Sequence, residues 1–135
     1  MNHIIKKISL ILILLTVLNG CTNKNNAIEE ISEKRALLPK LTGKVKAGIL
    51  EGVSSENLSS FIKEEFPETF NKFSNYSVFI KSENDTAVVL ICNKEKTKAL
   101  LEDASCHGYI EGNNLYEKEL PCQFHLPIDE ICNKY

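Results

Sequence analysis

A continuous apolar run from Ala87 to Cys92 constrains the fold of this chain more than any other stretch of its sequence. An alternating stretch, Tyr76 to Lys81, precedes it, and residues 82–85 between the two are turn formers. Six apolar residues in a row fit a strand that is covered on both of its faces. The sequence therefore predicts a β-hairpin whose second strand lies centrally in a folded domain.

Helical patterns precede this hairpin. Residues 27–38 have a partly helical spacing, and we expect Pro39 to end that helix. In residues 43–52 apolar and other side chains alternate, and glycines bound or interrupt the stretch, which predicts an edge strand. An apolar stripe at helical spacing then predicts a helix that kinks or restarts near Pro67. The stripe either packs in the core or lines a ligand groove, and we prefer the core. Its members are Leu58, Phe61, Ile62, Phe66, Phe70 and Phe73.

Further strand patterns follow the hairpin. Residues 97–105 fit a helix or a strand, and we prefer a strand that returns along the hairpin. Residues 112–114, Gly-Asn-Asn, predict the turn of a second hairpin. Residues 123–126 predict a last strand, and residues 127–132 predict a short closing helix. Together these patterns predict an α+β fold, in which N-terminal helices precede a small antiparallel sheet that disulfides staple.

The N-terminus has the pattern of an export signal. Residues 1–7 include Lys6 and Lys7, and residues 8–18 are almost entirely Ile, Leu and Val. This run is too short for a membrane-spanning helix, which needs about 20 residues. It ends in Leu18, Asn19, Gly20 and Cys21. That order of an apolar, a loosely constrained and a small residue before a cysteine resembles the lipobox of bacterial lipoproteins.

The resemblance covers residues 1–22 and implies a cellular location. In that family the cysteine thiol receives a diacylglycerol and the signal is cut just before the cysteine, so residues 1–20 are removed and Cys21 carries the lipid. Two or three acyl chains, such as palmitate, hold a protein firmly at a membrane surface. Thr22 stands where an Asp keeps many lipoproteins at the inner membrane. The resemblance thus implies a lipid-anchored protein of the cell envelope, at the outer membrane and facing the periplasm.

Removal of the signal leaves a chain of one domain's length. Residues 21–26 are the lipidated cysteine and a polar tether, and residues 27–135 form a single α+β domain. The full chain has 16 basic and 18 acidic residues, and the basic Lys6 and Lys7 leave with the signal. The mature protein is therefore acidic and has no basic patch. We expect no nucleic-acid partner, and we expect contact with the membrane through the anchor and with an envelope protein.

Cysteine chemistry dominates the second half of the chain. After lipidation of Cys21, the remaining cysteines are Cys92, Cys106, Cys122 and Cys132. An even number of cysteines in an exported chain predicts two disulfides, with three pairings possible. The preferred pairing joins Cys106 to Cys122 across the base of the second predicted hairpin. Cys92 is then left for Cys132, which would staple the C-terminal tail to the central strand.

A metal site is the alternative to these disulfides. Cys106, Cys122 and His125, together with His107, are residue types that form tetrahedral zinc sites. Neighbouring residues on a strand point to opposite faces, which disfavours Cys106 and His107 as ligands of one ion. The Cys-x-x-Cys spacing of redox-active pairs is absent. We therefore expect no resident metal or other cofactor.

Nucleophilic catalysis has few candidate residues. Ser105 lies near His107 in sequence, but the Gly-x-Ser-x-Gly pattern of hydrolases is absent. Glu102 and Asp103 are expected in an exposed turn or as cross-strand ion partners. The sequence therefore does not predict an enzyme.

These patterns favour a non-catalytic binding or structural module that acts at the bacterial envelope. Two alternatives stay open. One is a metal-binding or thiol-active envelope protein that uses Cys106, Cys122 and His125. The other is an inhibitor or immunity-type lipoprotein that blocks an incoming enzyme.

Overall fold

The computed structural model describes the backbone of residues 2–106 and 109–132, and the side chains of residues 26–106 and 119–132. The side chain of Cys21, the predicted lipidation site, and residue His107 lie outside these ranges. The chain divides into two compact units, Met1–Glu33 and Lys34–Tyr135. In the described part of the chain, no helix is both long enough and apolar enough to cross a membrane.

The first helix is longer than the sequence predicts. α1 (Asn2–Leu50) includes residues 21–26, expected as lipidated cysteine and tether, and passes through Pro39. The predicted helix end at Pro39 is therefore wrong. Leu38 and Leu41, on either side of the proline, are fully buried. Their burial offsets the backbone hydrogen bond that proline removes.

A glycine turn ends α1. Gly52 has a φ of 84°, the left-handed region that glycine adopts without strain. The N–H of Val53 donates to the Gly48 carbonyl and the N–H of Gly52 donates to the Ile49 carbonyl, both at 3.0 Å. This pair of bonds is a Schellman motif. The predicted edge strand over residues 43–52 is thus wrong, because its last glycine terminates a helix.

The remaining elements follow the predicted order, helices before sheet. Short helices α2 (Leu58–Glu65) and α3 (Pro67–Asn71) come after a 3-10 turn, Ser55–Asn57. The strands are β1 (Ser77–Glu83), β2 (Thr86–Cys92), β3 (Lys98–Cys106) and β4 (Tyr109–Pro121), and α4 (Ile128–Cys132) closes the chain. The strands form one antiparallel sheet in the order β1-β2-β3-β4. The α+β fold with disulfide staples is confirmed.

Local predictions for the first hairpin and the short helices are also confirmed. Asn84 and Asp85 form its two-residue turn, with φ of 49° and 59°. Asn and Asp tolerate this left-handed conformation better than most residues, which is why they suit such turns. A new helix begins at Pro67, and a short helix follows Pro127. The preferred strand over residues 97–105 is present as β3.

The second predicted hairpin is absent because β4 continues through residues 112–114. Glu102 of β3 lies opposite Asn114, and Ala104 lies opposite Glu111. Between these two pairs β4 has one residue more than β3, which makes a β-bulge. The Gly-Asn-Asn stretch therefore belongs to a bulged strand, and the prediction of a turn there is wrong.

The C-terminal segment covers one face of the sheet. Val88 of β2 packs in a buried cluster with Ile128 and Cys132, and half-buried Phe124 packs against this cluster. Phe124 also packs against a second buried cluster around Leu90. No strand is assigned to residues 123–126, so the strand predicted there is wrong and this cover is irregular.

Helices cover the opposite face. Buried residues recur along one side of α1 at spacings of three and four, and they are Leu38, Leu41, Thr42 and Val45. Lys46 donates a hydrogen bond to the carbonyl of Asp85 in the hairpin turn. The buried residues Leu58 and Ile62 form the inner side of α2. The sheet is therefore the middle layer of this unit.

Gly48 permits the close approach of α1 to α2. A Cβ atom at Gly48 would lie 2.7 Å from Cε1 of Phe61 and 3.3 Å from Cδ2 of Leu58. We predict that Gly48→Ala lowers the free energy of unfolding by about 1–3 kcal/mol, because the ring must move out of its packed position. Urea-induced unfolding measures the change.

Gly43→Ala is the matched control. A Cβ atom at Gly43 meets nothing within 4 Å, and alanine favours the helix over glycine by about 1 kcal/mol. This variant should therefore be more stable than the wild type. If both substitutions stabilised the protein equally, α1 and α2 would not approach as closely as described.

Candidate functional site

The two acidic residues of β3 lie on opposite faces of the sheet, and both are fully buried. Glu102 and Asp103 were expected in an exposed turn or as cross-strand ion partners, and the exposed turn is wrong because both residues lie within β3. The reason is the position of β3, which is an inner strand of a sheet with a cover on each face. Each carboxyl group therefore has to be accommodated inside the protein.

Glu102 holds the C-terminal segment to the sheet. Its Oε2 accepts a hydrogen bond from the N–H of His125 at 2.9 Å, and its Oε1 accepts one from the N–H of Leu126 at 3.1 Å. The carboxylate thereby satisfies two backbone amides in a stretch without strand partners. His125 is also fixed through its ring, since Nε2 lies 2.9 Å from the Pro121 carbonyl oxygen.

Asp103 lies on the helix side, next to Thr42 of α1. The Thr42 hydroxyl donates to the Leu38 carbonyl at 3.1 Å, and neither carboxyl oxygen of Asp103 has a hydrogen-bond partner in the described part of the chain. Burial raises the pKa of Asp103 from 3.8 to about 6, and the nearby Thr42 side chain and Ala104 backbone lower it only in part. Removal of the carboxyl group from water is thus the dominant effect, and it favours the neutral form of Asp103.

Two disulfides are present, but the preferred pairing is wrong. Cys92 pairs with Cys122 at a Cα–Cα distance of 5.7 Å, and Cys106 pairs with Cys132 at 5.3 Å. These distances lie within the usual range for disulfides. Both bonds attach the segment that follows β4 to strands of the sheet.

The missing second hairpin explains the wrong pairing. Cys106 lies opposite Tyr109 at one end of the β3–β4 ladder, whereas Lys98 lies opposite Pro121 at the other end. Cys122 follows Pro121 directly, so the length of the ladder separates it from Cys106. The expected Cys106–Cys122 bond required a turn at residues 112–114, where β4 instead continues as a strand.

The alternative metal site loses its sulfur ligands in this arrangement. Cys106 and Cys122 belong to different disulfides, and zinc is bound by thiolates. Among the described side chains, no group of three or more His, Cys, Asp or Glu residues is arranged to hold a metal ion. Ser105, the candidate nucleophile, is buried, and its Oγ accepts a hydrogen bond from the Ala87 N–H at 3.2 Å.

A cleft of about 310 Å³ opens between the α2–α3 region and the start of β1. Lys63 and Phe70 line its helix side, Val78 and Phe79 line its strand side, and Lys96 reaches it from the turn between β2 and β3. The Nζ of Lys63 lies 5.4 Å from the ring centre of Phe70, and the Nζ of Lys96 lies 6.0 Å from that of Phe79. None of the described residues that line the cleft is acidic. The cleft therefore offers aromatic surface together with positive charge.

Lys96 adopts an unusual backbone conformation at this cleft. Its φ is 59°, in the left-handed region that costs a residue with a Cβ about 1–2 kcal/mol. The turn holds it there, because Oδ1 of Asn93 accepts hydrogen bonds from the N–H groups of Thr97 at 2.8 Å and Lys98 at 2.9 Å. Glycine would fit the position with less strain, so the fold alone gives no reason for a lysine.

The strand side of the cleft is an open sheet edge. Glu83 and Thr86 flank the two-residue turn and form a hydrogen-bonded pair. Because such pairs alternate along an antiparallel ladder, the odd-numbered residues of β1 bond to β2, and the even-numbered ones direct their N–H and C=O groups away from it. The outward N–H of Ser82 donates to Ser55 Oγ at 3.3 Å. The outward backbone groups of Val78 and Ile80 have no hydrogen bond among the described residues. The edge is thus capped at one end and open beside the cleft.

The sequence pointed to part of this cleft and missed the rest. The predicted apolar stripe serves as both core and groove, because Leu58 and Ile62 are buried whereas half-buried Phe70 lines the cleft. Lys63 and Lys96 were not predicted. They are far apart in the chain, and no spacing rule brings together a helix and a turn that follows two strands.

Comparison of the chain with protein-family models, with curated proteins and with solved structures gave no match. The cleft and the buried carboxyl groups are therefore interpreted from their own geometry.

Asp103 should make the stability of the protein depend on pH. The folded protein keeps the Asp103 proton up to about pH 6, whereas the ordinary value for an unfolded Asp is 3.8. The folded state binds more protons in this window, so its stability falls as the pH rises through it and then levels. Between pH 4 and pH 8 the titration of Asp103 should lower the free energy of unfolding by about 2–3 kcal/mol. We predict that Asp103→Asn removes this decrease, as measured by urea unfolding across that pH range. Identical pH profiles for the two proteins would contradict this interpretation.

Proposed function

We propose that the protein is a lipid-anchored binding module of the bacterial cell envelope, and that it holds a protein partner without catalysing a reaction. The observation that carries this proposal is the cleft beside the open edge of β1. It combines aromatic rings, ammonium groups and free backbone donors and acceptors. Such groups are suited to recognising another protein chain.

The positions of the acidic groups support a binding role over a catalytic one. Glu102 uses both oxygens to bind backbone amides, and Asp103 is buried beneath α1. Neither carboxyl group lines the cleft. A catalytic carboxylate has to reach a substrate, whereas Glu102 is bonded to the C-terminal segment and Asp103 is fully buried.

The N-terminal pattern supports the location. Residues 18–21 resemble a lipobox, which implies that Cys21 carries lipid and keeps the module at a membrane surface. Two disulfides fit an exported protein, because such bonds persist in oxidising compartments. A module at a membrane surface meets its partner at a raised effective concentration, so a cleft of modest size is sufficient there.

Photo-cross-linking in living bacteria tests the binding role. A photoreactive amino acid is placed at exposed Ser74 in the cleft, and separately at exposed Glu130 on α4 as the matched control. We expect one discrete cross-linked protein from Ser74 and none from Glu130. Cys21→Ser should abolish labelling with a fatty acid and sharply reduce the cross-link.

The outcomes separate the parts of the proposal. A product from Glu130 alone would keep the binding function and place it on another surface. Absence of any product, or turnover of peptidoglycan or a peptide ester by the purified protein, would overturn the function. Fatty-acid labelling that persists in Cys21→Ser would overturn the anchor.

A further inference from the structure

We infer that the cleft binds an extended, acidic segment of the partner protein, which adds to the edge of β1 as a further strand. This inference rests on the proposed function and specifies the chemistry of the partner. It follows from the juxtaposition of an open strand edge, two lysines and two half-buried aromatic rings.

The backbone of β1 determines the form of the occupant. The outward N–H and C=O groups of Val78 and Ile80 repeat every second residue, as a pairing strand requires. An extended chain satisfies such a row, whereas a helix satisfies its own backbone groups internally. Ser55 already occupies the N–H of Ser82 and closes that end. The added strand is therefore short, and it pairs at the half of β1 that borders the cleft.

The charge of the cleft determines the side chains of the occupant. Lys63 and Lys96 place ammonium groups over the two rings, and none of the described lining residues is acidic. This is notable because the chain as a whole has more acidic than basic residues. A carboxylate on the partner would be attracted to the cleft and repelled by most of the remaining surface.

A second cleft on the same unit lacks this selectivity. It lies between α1 and α3, and its charged lining residues are Lys40, Lys44, Glu65 and Glu68. Its positive and negative charges balance, and it has no strand edge. Of these two clefts, the one at β1 combines backbone donors with an excess of positive charge.

The conformation of Lys96 is independent support for a role in binding. Asn84 and Asp85, the other non-glycine residues with positive φ in the described chain, are residue types that tolerate it. Lysine occupies this position against the backbone preference, and its ammonium group lies at the cleft. Lys96→Gly therefore removes the charge and also the backbone strain. A loss of binding in this variant cannot then be caused by a loss of stability.

A random heptapeptide library displayed on phage is the probe. The processed protein, anchored in lipid nanodiscs, is used to select peptides. We expect selected peptides to be enriched in Asp and Glu and to bind Lys96→Gly about tenfold more weakly, while its unfolding midpoint is unchanged or higher. Asp85→Gly is the matched control, because it places glycine at another left-handed position away from the cleft and should leave the affinity unchanged.

The backbone pairing has a separate readout. Binding of a selected peptide should slow hydrogen–deuterium exchange at the Val78 amide, which points outward, more than at amides outside the cleft. Val78→Pro should weaken the peptide while sparing the β1–β2 ladder, because its N–H does not bond to β2. Exchange protection in the unsubstituted protein decides the matter if this variant does not fold.

Three results would overturn the inference. They are selected peptides without acidic enrichment, equal affinity for Lys96→Gly, and unchanged exchange at Val78. If any of these occurred while the Ser74 or Glu130 cross-link persisted, the binding function would stand and the acidic strand would be wrong.

Discussion

The burial of β2 on both faces is the constraint on which the rest of this structure depends. Every residue of β2, Thr86–Cys92, is buried. Removing one such aliphatic side chain from water contributes about 1.5–3 kcal/mol, so the strand is stable only beneath a cover on each side. The helices supply one cover. On the other side a short, irregular C-terminal segment has to do the same with few apolar residues.

The irregular structure of the C-terminal cover explains the hydrogen bonds and disulfides that hold it. The stretch between β4 and α4 has no strand partners, so its amides need acceptors, and Glu102 accepts from two of them. Cys92–Cys122 and Cys106–Cys132 attach the same segment at both ends of the sheet. The residues that looked like ligands or catalysts in the sequence, such as Cys122 and His125, therefore hold the cover in place.

The sequence predicted well what depends on local pattern. The hairpin around Asn84-Asp85, the helix start at Pro67 and the α+β order all follow from turn chemistry and hydrophobic period. Predictions failed where tertiary packing overrides a local signal. Pro39 lies inside a helix because Leu38 and Leu41, on either side of it, are buried. The Gly-Asn-Asn stretch lies in a bulged strand.

The candidate site was harder to predict than the fold. Its members come from α2, β1 and the turn after β2, and the sequence contains no signal that Lys63 and Lys96 share a cleft. The buried position of Asp103 was hidden as well, since charged residues in a strand usually face water. One wrongly predicted turn at residues 112–114 was enough to misplace the disulfides, because it changed which strand ends were expected to lie together.

Disulfide mapping under non-reducing conditions tests the central claim most directly. Trypsin does not cut between Cys122 and Cys132, so a glutamate-specific protease that cuts after Glu130 is added. The structure predicts linked peptides that contain Cys92 with Cys122 and Cys106 with Cys132. Peptides that link Cys106 to Cys122, or free thiols at these positions, would contradict a C-terminal segment held across β2 as the second cover.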